Sequence, residues 1–275
     1  MKKLLSILVS ALLLLTLLAA CQPSTSNDPG SDAPKGKVDQ IKANGKLVVY
    51  TDPNFAPFEF LKSNKPVGVD MEIAQAIADE LGVTLEIQTG EFDTLIMAVK
   101  AGKGDIAVSG FTITDERKQS VDFSDPYINS VQYLILPEGS SLATVEDLAG
   151  KKIGVALGYT GSFVVDFEIN DEEGVLHGTN TTFTEYPSAM EAVLDMNNGK
   201  VDAVVMDEYV AKNIIKKNQG LKTIELRYAG GDLSSEEYGV VVPKDNKDLL
   251  DVINNVVKKL LDEKKIEEWV VQYSE

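Results

Sequence analysis

FDTLIMAVKAGKGDIAVSG, residues 92–110, decides how this chain folds. It reads as a helix over 92–103 followed by a short apolar strand over 105–110. The same order returns in SAMEAVLDMNNGKVDAVVMD, residues 188–207. There a capping box, Ser188 and Glu191, opens the helix, and a strand covers 201–207. The join is shared residue by residue: Gly102-Lys103-Gly104-Asp105 matches Gly199-Lys200-Val201-Asp202. Five residues past each aspartate, the strand ends at Gly110 in one copy and at Asp207 in the other.

Working outward, KLVVYTD (46–52) is a buried strand. GVDMEIAQAIADELG (68–82) is an amphipathic helix with Val69, Ile73, Ile77 and Leu81 four apart and Gly82 as its stop. TLEIQT (84–89) alternates like a strand. In the second half KKIGVALG (151–158) and TTFTEYP (181–187) are strands, and EYVAKNIIKKNQG (208–220) is a helix. Lys46 plus six is Asp52, and Lys152 plus six is Gly158. This order is that of an α/β protein with mostly parallel sheets, built as two lobes of one architecture. Ligands of open α/β sheets bind beyond the carboxyl ends of the strands. Two lobes facing each other would offer Asp52, Gly110, Gly158 and Asp207 across a cleft.

Composition narrows the function. The 275 residues carry a formal charge of −17, which disfavours a nucleic-acid partner. One histidine, His177, and one cysteine, Cys21, exclude an internal disulfide and a zinc site of histidines and cysteines. A serine–histidine–aspartate triad would have to use His177, which lies in the polar stretch LHGTNTT. No metal and no cofactor is expected.

The N-terminus reads as a targeting segment. Met1-Lys2-Lys3 precedes an apolar run, Leu4 to Ala20, and then Leu18-Ala19-Ala20-Cys21 resembles a bacterial lipobox. The expectation is a signal peptide over 1–20, with Cys21 as the lipidated first residue of a mature chain of side-chain charge about −19. Plain secretion with a chance cysteine, or an uncleaved anchor, are the alternatives. QPSTSNDPGSDAPKGK (22–37) is too polar to bury a face and reads as a disordered linker reaching roughly 20–25 Å.

VSGFTITDER (108–117) poses a local problem. Thr114 caps a helix whose first turn suits Asp115 and Glu116, but Arg117 meets the dipole with the wrong sign. Either Arg117 is a solvated surface side chain, or an anion sits beside it.

At this point the chain resembles a known family. TDPNFAPFEF, GVDMEIAQAIADELG, EFDTLIMAVKAGKGDIAVSGFTITDERKQSVDFSDPY, LAGKKIGVALGYTG and VDAVVMDEYVA look like the extracellular polar amino-acid-binding proteins of ABC importers, over about residues 38–275. The resemblance implies a two-lobed periplasmic-binding-protein-like fold (type II). Lobe 1 would hold 38–130 and 240–275, and lobe 2 would hold 131–239. VQYLILP (131–137) would cross outward and EYGVVVPKD (237–245) would return. The last helix would run through KDLLDVINNVVKKLLDEKKIEEWVVQY, packing on one lobe or bridging both.

It also implies roles. The guanidinium of Arg117 would hold a ligand carboxylate, with backbone N–H groups at Thr112 and Thr160 as further donors. Gly158 and Gly161 flank Thr160's loop and allow close approach. Asp207 would take the ammonium, helped by the Gly110 carbonyl and Thr112 hydroxyl, a role compatible with capping the helix after it. Many members have serine at the Gly110 position. Phe55 and Phe92 would sandwich the ligand side chain, and Asp52 would meet its far end. With no second cation in the motif, glutamate and aspartate are disfavoured, and a polar or basic amino acid is favoured. Leu157 stands where some relatives carry a polar residue. Partners would be a free amino acid, a permease and its ATPase, with a lipid anchor as the only membrane contact, on the outer face of a Gram-positive-type membrane, as a monomer. The rivals are a dehydratase using Glu59 or Glu91, and a surface receptor or adhesin on the same scaffold.

Overall fold

The computed structural model describes residues 36–231 and 235–274. The expected signal peptide, Cys21 and all but the last two residues of the expected linker lie outside the described residues. Lys37 already belongs to a helix, α1 (Lys37–Asn44), which Gly45 ends in a left-handed conformation at φ 69°.

The first lobe follows the expected alternation. Strand β1 (Lys46–Thr51) leads through a small three-stranded sheet, β2 (Asn54–Phe55), β3 (Glu59–Lys62) and β4 (Lys65–Val67), into α2 (Val69–Leu81). Val69, Ile73, Ile77 and Leu81 are all buried, as their spacing requires. Each such burial is worth roughly 1.5–3 kcal/mol. Then come β5 (Thr84–Thr89), α3 (Phe92–Lys100), β6 (Ile106–Ala107), α4 (Asp115–Lys118) and β7 (Val121–Phe123). β6 is far shorter than the expected strand over 105–110, because Gly110 takes φ 54° and turns the chain off the sheet.

β8 (Ile128–Pro137) carries the chain into the second lobe. There follow β9 (Lys152–Ala156), α5 (Thr160–Asn170), β10 (Thr182–Tyr186), α6 (Ala189–Asn197), β11 (Ala203–Asp207), α7 (Glu208–Lys217) and β12 (Leu221–Glu225). β13 (Ser235–Tyr238) returns antiparallel to the start of β8, pairing Tyr238 with Ile128 and Ser235 with Val131. β14 (Val241–Pro243) then joins the first sheet.

The sheet orders are β5-β1-β6-β14-β7 and β10-β9-β11-β8-β12. They correspond position by position. In each the three central α/β strands are parallel, and one strand is antiparallel: β14 in the first lobe and β8 in the second. Both antiparallel strands come from the crossing segments.

The doubled G-K-x-D has a structural cause. Gly102 and Gly199 end their helices at φ 70° and 71°. Asp105 then accepts a hydrogen bond from the Val48 N–H at 2.8 Å, and Asp202 accepts one from the Lys152 N–H, also at 2.8 Å. Each aspartate clamps the backbone of its lobe's first α/β strand, β1 at Val48 and β9 at Lys152, and so sets register. Asp105 also pairs with Lys37 at 2.7 Å, tying α1 to the sheet. Asp202→Ala is expected to cost about 1 kcal/mol for the lost bond. Asp105→Ala should cost more, since it also releases Lys37. Thermal denaturation checks the order, and equal melting temperatures would contradict it.

The C-terminal region is two helices, not one. α8 (Lys247–Asp262) buries Leu249, Ile253, Val256, Val257 and Leu260. The chain breaks at Lys264, φ 57°, before α9 (Lys265–Ser274). Both helices pack against α2, and the Tyr273 hydroxyl donates to Glu72 at 2.5 Å. Lys216 of α7 donates to the Ser274 carbonyl at 2.8 Å, so the chain's end also touches the second lobe.

Candidate ligand-binding site

Arg117 does not sit in solvent. α4 is a single turn, so its dipole is small, and the Thr114 hydroxyl caps it by accepting from the Arg117 N–H at 3.1 Å. The Arg117 side chain is turned inward and its residue is only 8% exposed. Nη1 donates to the Thr112 carbonyl at 2.8 Å. Nη2 donates across the cleft to the Gly158 carbonyl at 3.0 Å. The guanidinium carbon lies 5.4 Å from the Phe92 ring centre and 5.5 Å from that of Phe111. Burial lowers its pKa, and the charges of Asp207 and Glu236 act the other way. The group stays charged, because a guanidinium does not give up its proton in a protein.

The lobes meet along this line. The Thr160 hydroxyl, at the first position of α5, donates to the Thr112 hydroxyl at 2.8 Å. Gly158 is at φ 76°, and a Cβ there would stand 3.1 Å from the Asp93 Cβ of the other lobe. A Cβ on Gly161 would stand 2.8 Å from Gln132 Oε1. Close approach is thus the reason for glycine on both sides of Thr160. A cavity of about 280 Å³ opens beside Arg117, with Phe111 and Met97 on one side and Gly158 and Phe163 on the other.

Asp207 ends β11 and stands at the N-cap position of α7, but its carboxylate makes no cap bond. The side chain is turned away from the helix, against the cap reading. It accepts from Gln132 Nε2 at 2.6 Å and from the Tyr238 hydroxyl. Gln132 also donates to Glu236 at 2.9 Å. Burial raises the pKa of Asp207, and its hydrogen bonds and Arg117 oppose that rise. Burial and the neighbouring Asp207 push Glu236 well above the carboxylate range. Gln132, Glu236 and Tyr238 were not named from sequence, yet they come from the two crossing strands and hold Asp207. The signal was present: Gln132 and Glu236 are polar residues at buried strand positions.

Gly110 has its own explanation. A Cβ there would meet the Phe55 ring at 2.3 Å, so the phenyl fills the space a serine side chain would use. The Gly110 N–H donates to Asp70 at 2.7 Å, and the Tyr127 hydroxyl donates to Asp70 at 2.9 Å. Beside it the Ser109 hydroxyl donates to Glu59 at 2.7 Å and accepts from the Asp52 N–H at 3.0 Å. Burial raises Asp70 to about 6 and Glu59 well above its usual range. Glu59 is fully buried against Ser109, and Glu91 is exposed.

Asp52 is 1% exposed, and burial raises it to about 6 against the hydrogen bonds of Asn54 and Tyr159. Asn54 Nδ2 donates to its Oδ1 at 2.7 Å, and the Tyr159 hydroxyl donates to its Oδ2 at 3.2 Å. Tyr159 changes the aromatic part of the site. Its ring stacks on Phe92 at 4.0 Å between centres and lies 5.4 Å from Phe55. The slot expected to receive a ligand side chain between Phe55 and Phe92 holds this tyrosine. The eight sequence-nominated residues lie near one another: Arg117, Thr112 and Thr160 join the lobes, Gln132 and Tyr238 hold Asp207, Gly110 packs on Phe55, and Asp52, Phe55 and Phe92 surround Tyr159.

Two facing lobes with this strand order, crossed twice, match a known family. The profile of the bacterial extracellular solute-binding proteins, family 3, covers residues 47–275. This chain is a family 3 extracellular solute-binding protein. The chain is 31% identical over 270 residues to the arginine-binding extracellular protein ArtP of Bacillus subtilis, covering 97% of this chain and 96% of that one. It is 32% identical over 247 residues to a probable histidine-binding protein of Neisseria gonorrhoeae, covering 88% and 85%. Among solved structures, an amino acid ABC transporter substrate-binding protein from Streptococcus pneumoniae, bound to L-arginine, superposes with a TM-score of 0.77 at 34% identity, covering 87% of this chain and 98% of that one. Membership makes the chain a transport binding protein rather than an enzyme, so the dehydratase alternative falls away.

Proposed function

We propose that this solute-binding protein captures a free cationic amino acid and presents it to an ABC permease and its ATPase. The observation that carries the reading is a surplus of buried carboxylates. Asp52, Asp207 and Glu236 are all at most 3% exposed, and Arg117 is the one buried cation among the described residues. Arg117 acts on Asp207 and Glu236, while the Asp52 carboxylate is held by two neutral groups, Asn54 and Tyr159. A zwitterion leaves that surplus in place, whereas an arginine or lysine removes it. An added carboxylate would have no partner, and an unpaired buried charge is costly.

The ligand carboxylate goes to Arg117 and to N–H groups at Thr112 and Thr160. The ammonium goes to Asp207, with the Gly110 carbonyl and Thr112 hydroxyl alongside. Asp52 takes the side-chain cation, and Phe55 and Phe92 flank it. Since these groups come from both lobes, the ligand stabilises the closed arrangement through contacts that separated lobes cannot make. Lobe 1 is taken as 38–130 with 240–275, and lobe 2 as 131–239.

The reading extends to the N-terminus. Removal of 1–20 and acylation of Cys21 would tether a monomer to the outer face of the membrane, in the Gram-positive manner. Cys21→Ser should then move the protein from the membrane fraction to the medium, and unchanged fractionation would remove the anchor. For the ligand, a thermal-shift panel of the common amino acids decides. At 100 times its dissociation constant a ligand adds about 2.7 kcal/mol. Arginine, lysine or histidine should stabilise the protein; stabilisation by glutamate alone would overturn the assignment.

A further inference from the structure

Tyr159 lies in the middle of this site, and the roles above leave it unassigned. It belongs to the second lobe, immediately before α5, and all its side-chain partners named here belong to the first. The residue is 5% exposed. Its ring has the position expected of a ligand side chain, stacked on Phe92 with Phe55 on its other side. Its hydroxyl has the position expected of that side chain's polar end, on Asp52 Oδ2. Asp52 Oδ1 is held by Asn54 from the same lobe, so the Tyr159 bond is the one made from across the cleft.

Two bodies cannot share one slot between stacked rings. A side chain long enough to reach Asp52 has to evict the tyrosine, while a short one leaves it in place. The tyrosine also links the lobes when it is seated, through a stack and a hydrogen bond that the separated lobes would lose.

We propose that Tyr159 is a built-in surrogate for the ligand side chain: it occupies the Phe55–Phe92 slot and Asp52, competes with long cationic side chains, and thereby sets the specificity of the cleft. This rests on the cleft being the amino-acid site. It assigns Tyr159 a cost to every ligand that reaches the slot, and a smaller cost or none to ligands that stop short of it. It also gives the ligand-free protein a reason to stay closed.

Calorimetric titration of the wild-type protein, Tyr159→Ala and Tyr159→Phe with arginine and serine tests it. Tyr159→Ala should bind arginine at least tenfold more tightly than the wild type, with a smaller gain for serine. Tyr159→Phe, which loses only the Asp52 bond, should fall between. Arginine affinity in Tyr159→Ala equal to the wild type overturns the proposal, and weaker affinity does so too, since it would mean that the ring caps a bound side chain. Small-angle scattering of the ligand-free proteins reads the second half. Tyr159→Ala should have the larger radius of gyration, and an unchanged radius removes the closing role. If none of the three proteins binds arginine or serine, the ligand reading has failed, and the scattering still decides whether Tyr159 holds the lobes together.

Discussion

Arg117→Ala is expected to abolish amino-acid binding, raising Kd by more than 100-fold, and to leave both lobes folded. The guanidinium is the one buried cation among the described residues, and its two donors already reach carbonyls, Thr112 from one lobe and Gly158 from the other. A carboxylate arriving between them exchanges neutral acceptors for a charged one, and charge-assisted pairs are roughly twice as strong. Without the guanidinium the bound carboxylate is left buried and unpaired, a loss of about 3–5 kcal/mol that exceeds the roughly 2.7 kcal/mol that 100-fold represents. The fold survives because neither sheet depends on the side chain. α4 keeps its Thr114 cap, which bonds the backbone N–H of residue 117 whatever the side chain. Arg117→Lys keeps the charge but loses the fork, so it should retain only part of the affinity. Wild-type affinity by calorimetry in a folded alanine variant would remove Arg117 from the carboxylate site.

How much of this was legible in the sequence depends on the distance over which each feature is decided. The G-K-x-D repeat was legible because its work is local: a left-handed glycine ends a helix, and an aspartate three residues on clamps the neighbouring strand. α2 was legible because its buried stripe follows a strict period. α5 was not, because its pattern is inverted. Phe163 and Phe167 are 44% and 46% exposed, while Ser162 and Glu168 are buried. Glu168 goes inside to accept from the Tyr228 hydroxyl and the Val175 N–H. The break before α9 was hidden because Glu263-Lys264-Lys265 reads as an ordinary polar helix surface, and only the left-handed Lys264 ends it.

The site divides the same way. Arg117 was conspicuous through its mismatch with the local helix, even though the helix proved to be one turn long. Its true partners, carbonyls in both lobes, lie 5 and 41 residues away in sequence. Tyr159 was invisible. A tyrosine between a glycine and a threonine carries no signal of direction, and its seat is made by residues 107 and 67 positions upstream, Asp52 and Phe92. Asp207 was nominated, but the three residues that hold it were not, since they belong to strands whose apolar character dominated their reading.

Asp52→Asn is expected to separate stability from binding. Burial raises Asp52 from 3.8 to about 6, so the folded protein holds that proton more tightly than the unfolded chain does. For a carboxyl with a raised folded pKa, stability rises as pH falls from about 6 toward 4. Above about 6 the protein carries the whole penalty of burying the charge, on the order of 3 kcal/mol for two units. Asparagine is neutral throughout and still offers an oxygen to Asn54 or Tyr159. The ligand-free variant should therefore be more stable than the wild type at pH 7, by about 1–3 kcal/mol after allowance for weaker hydrogen bonds. The two should converge near pH 4. Glu59, Asp70 and Glu236 are raised as well, so the wild type loses stability with rising pH through several groups. The difference between the two proteins isolates Asp52 from them. Binding goes the other way: without the Asp52 charge, arginine should lose at least tenfold in affinity, because a buried guanidinium is left without its counter-charge. Denaturant melts at pH 4, 5, 6 and 7, read beside an arginine titration, measure both. A variant less stable than the wild type at pH 7 would show that the carboxylate's hydrogen bonds outweigh its burial. Unchanged arginine affinity would place the side-chain cation somewhere other than Asp52.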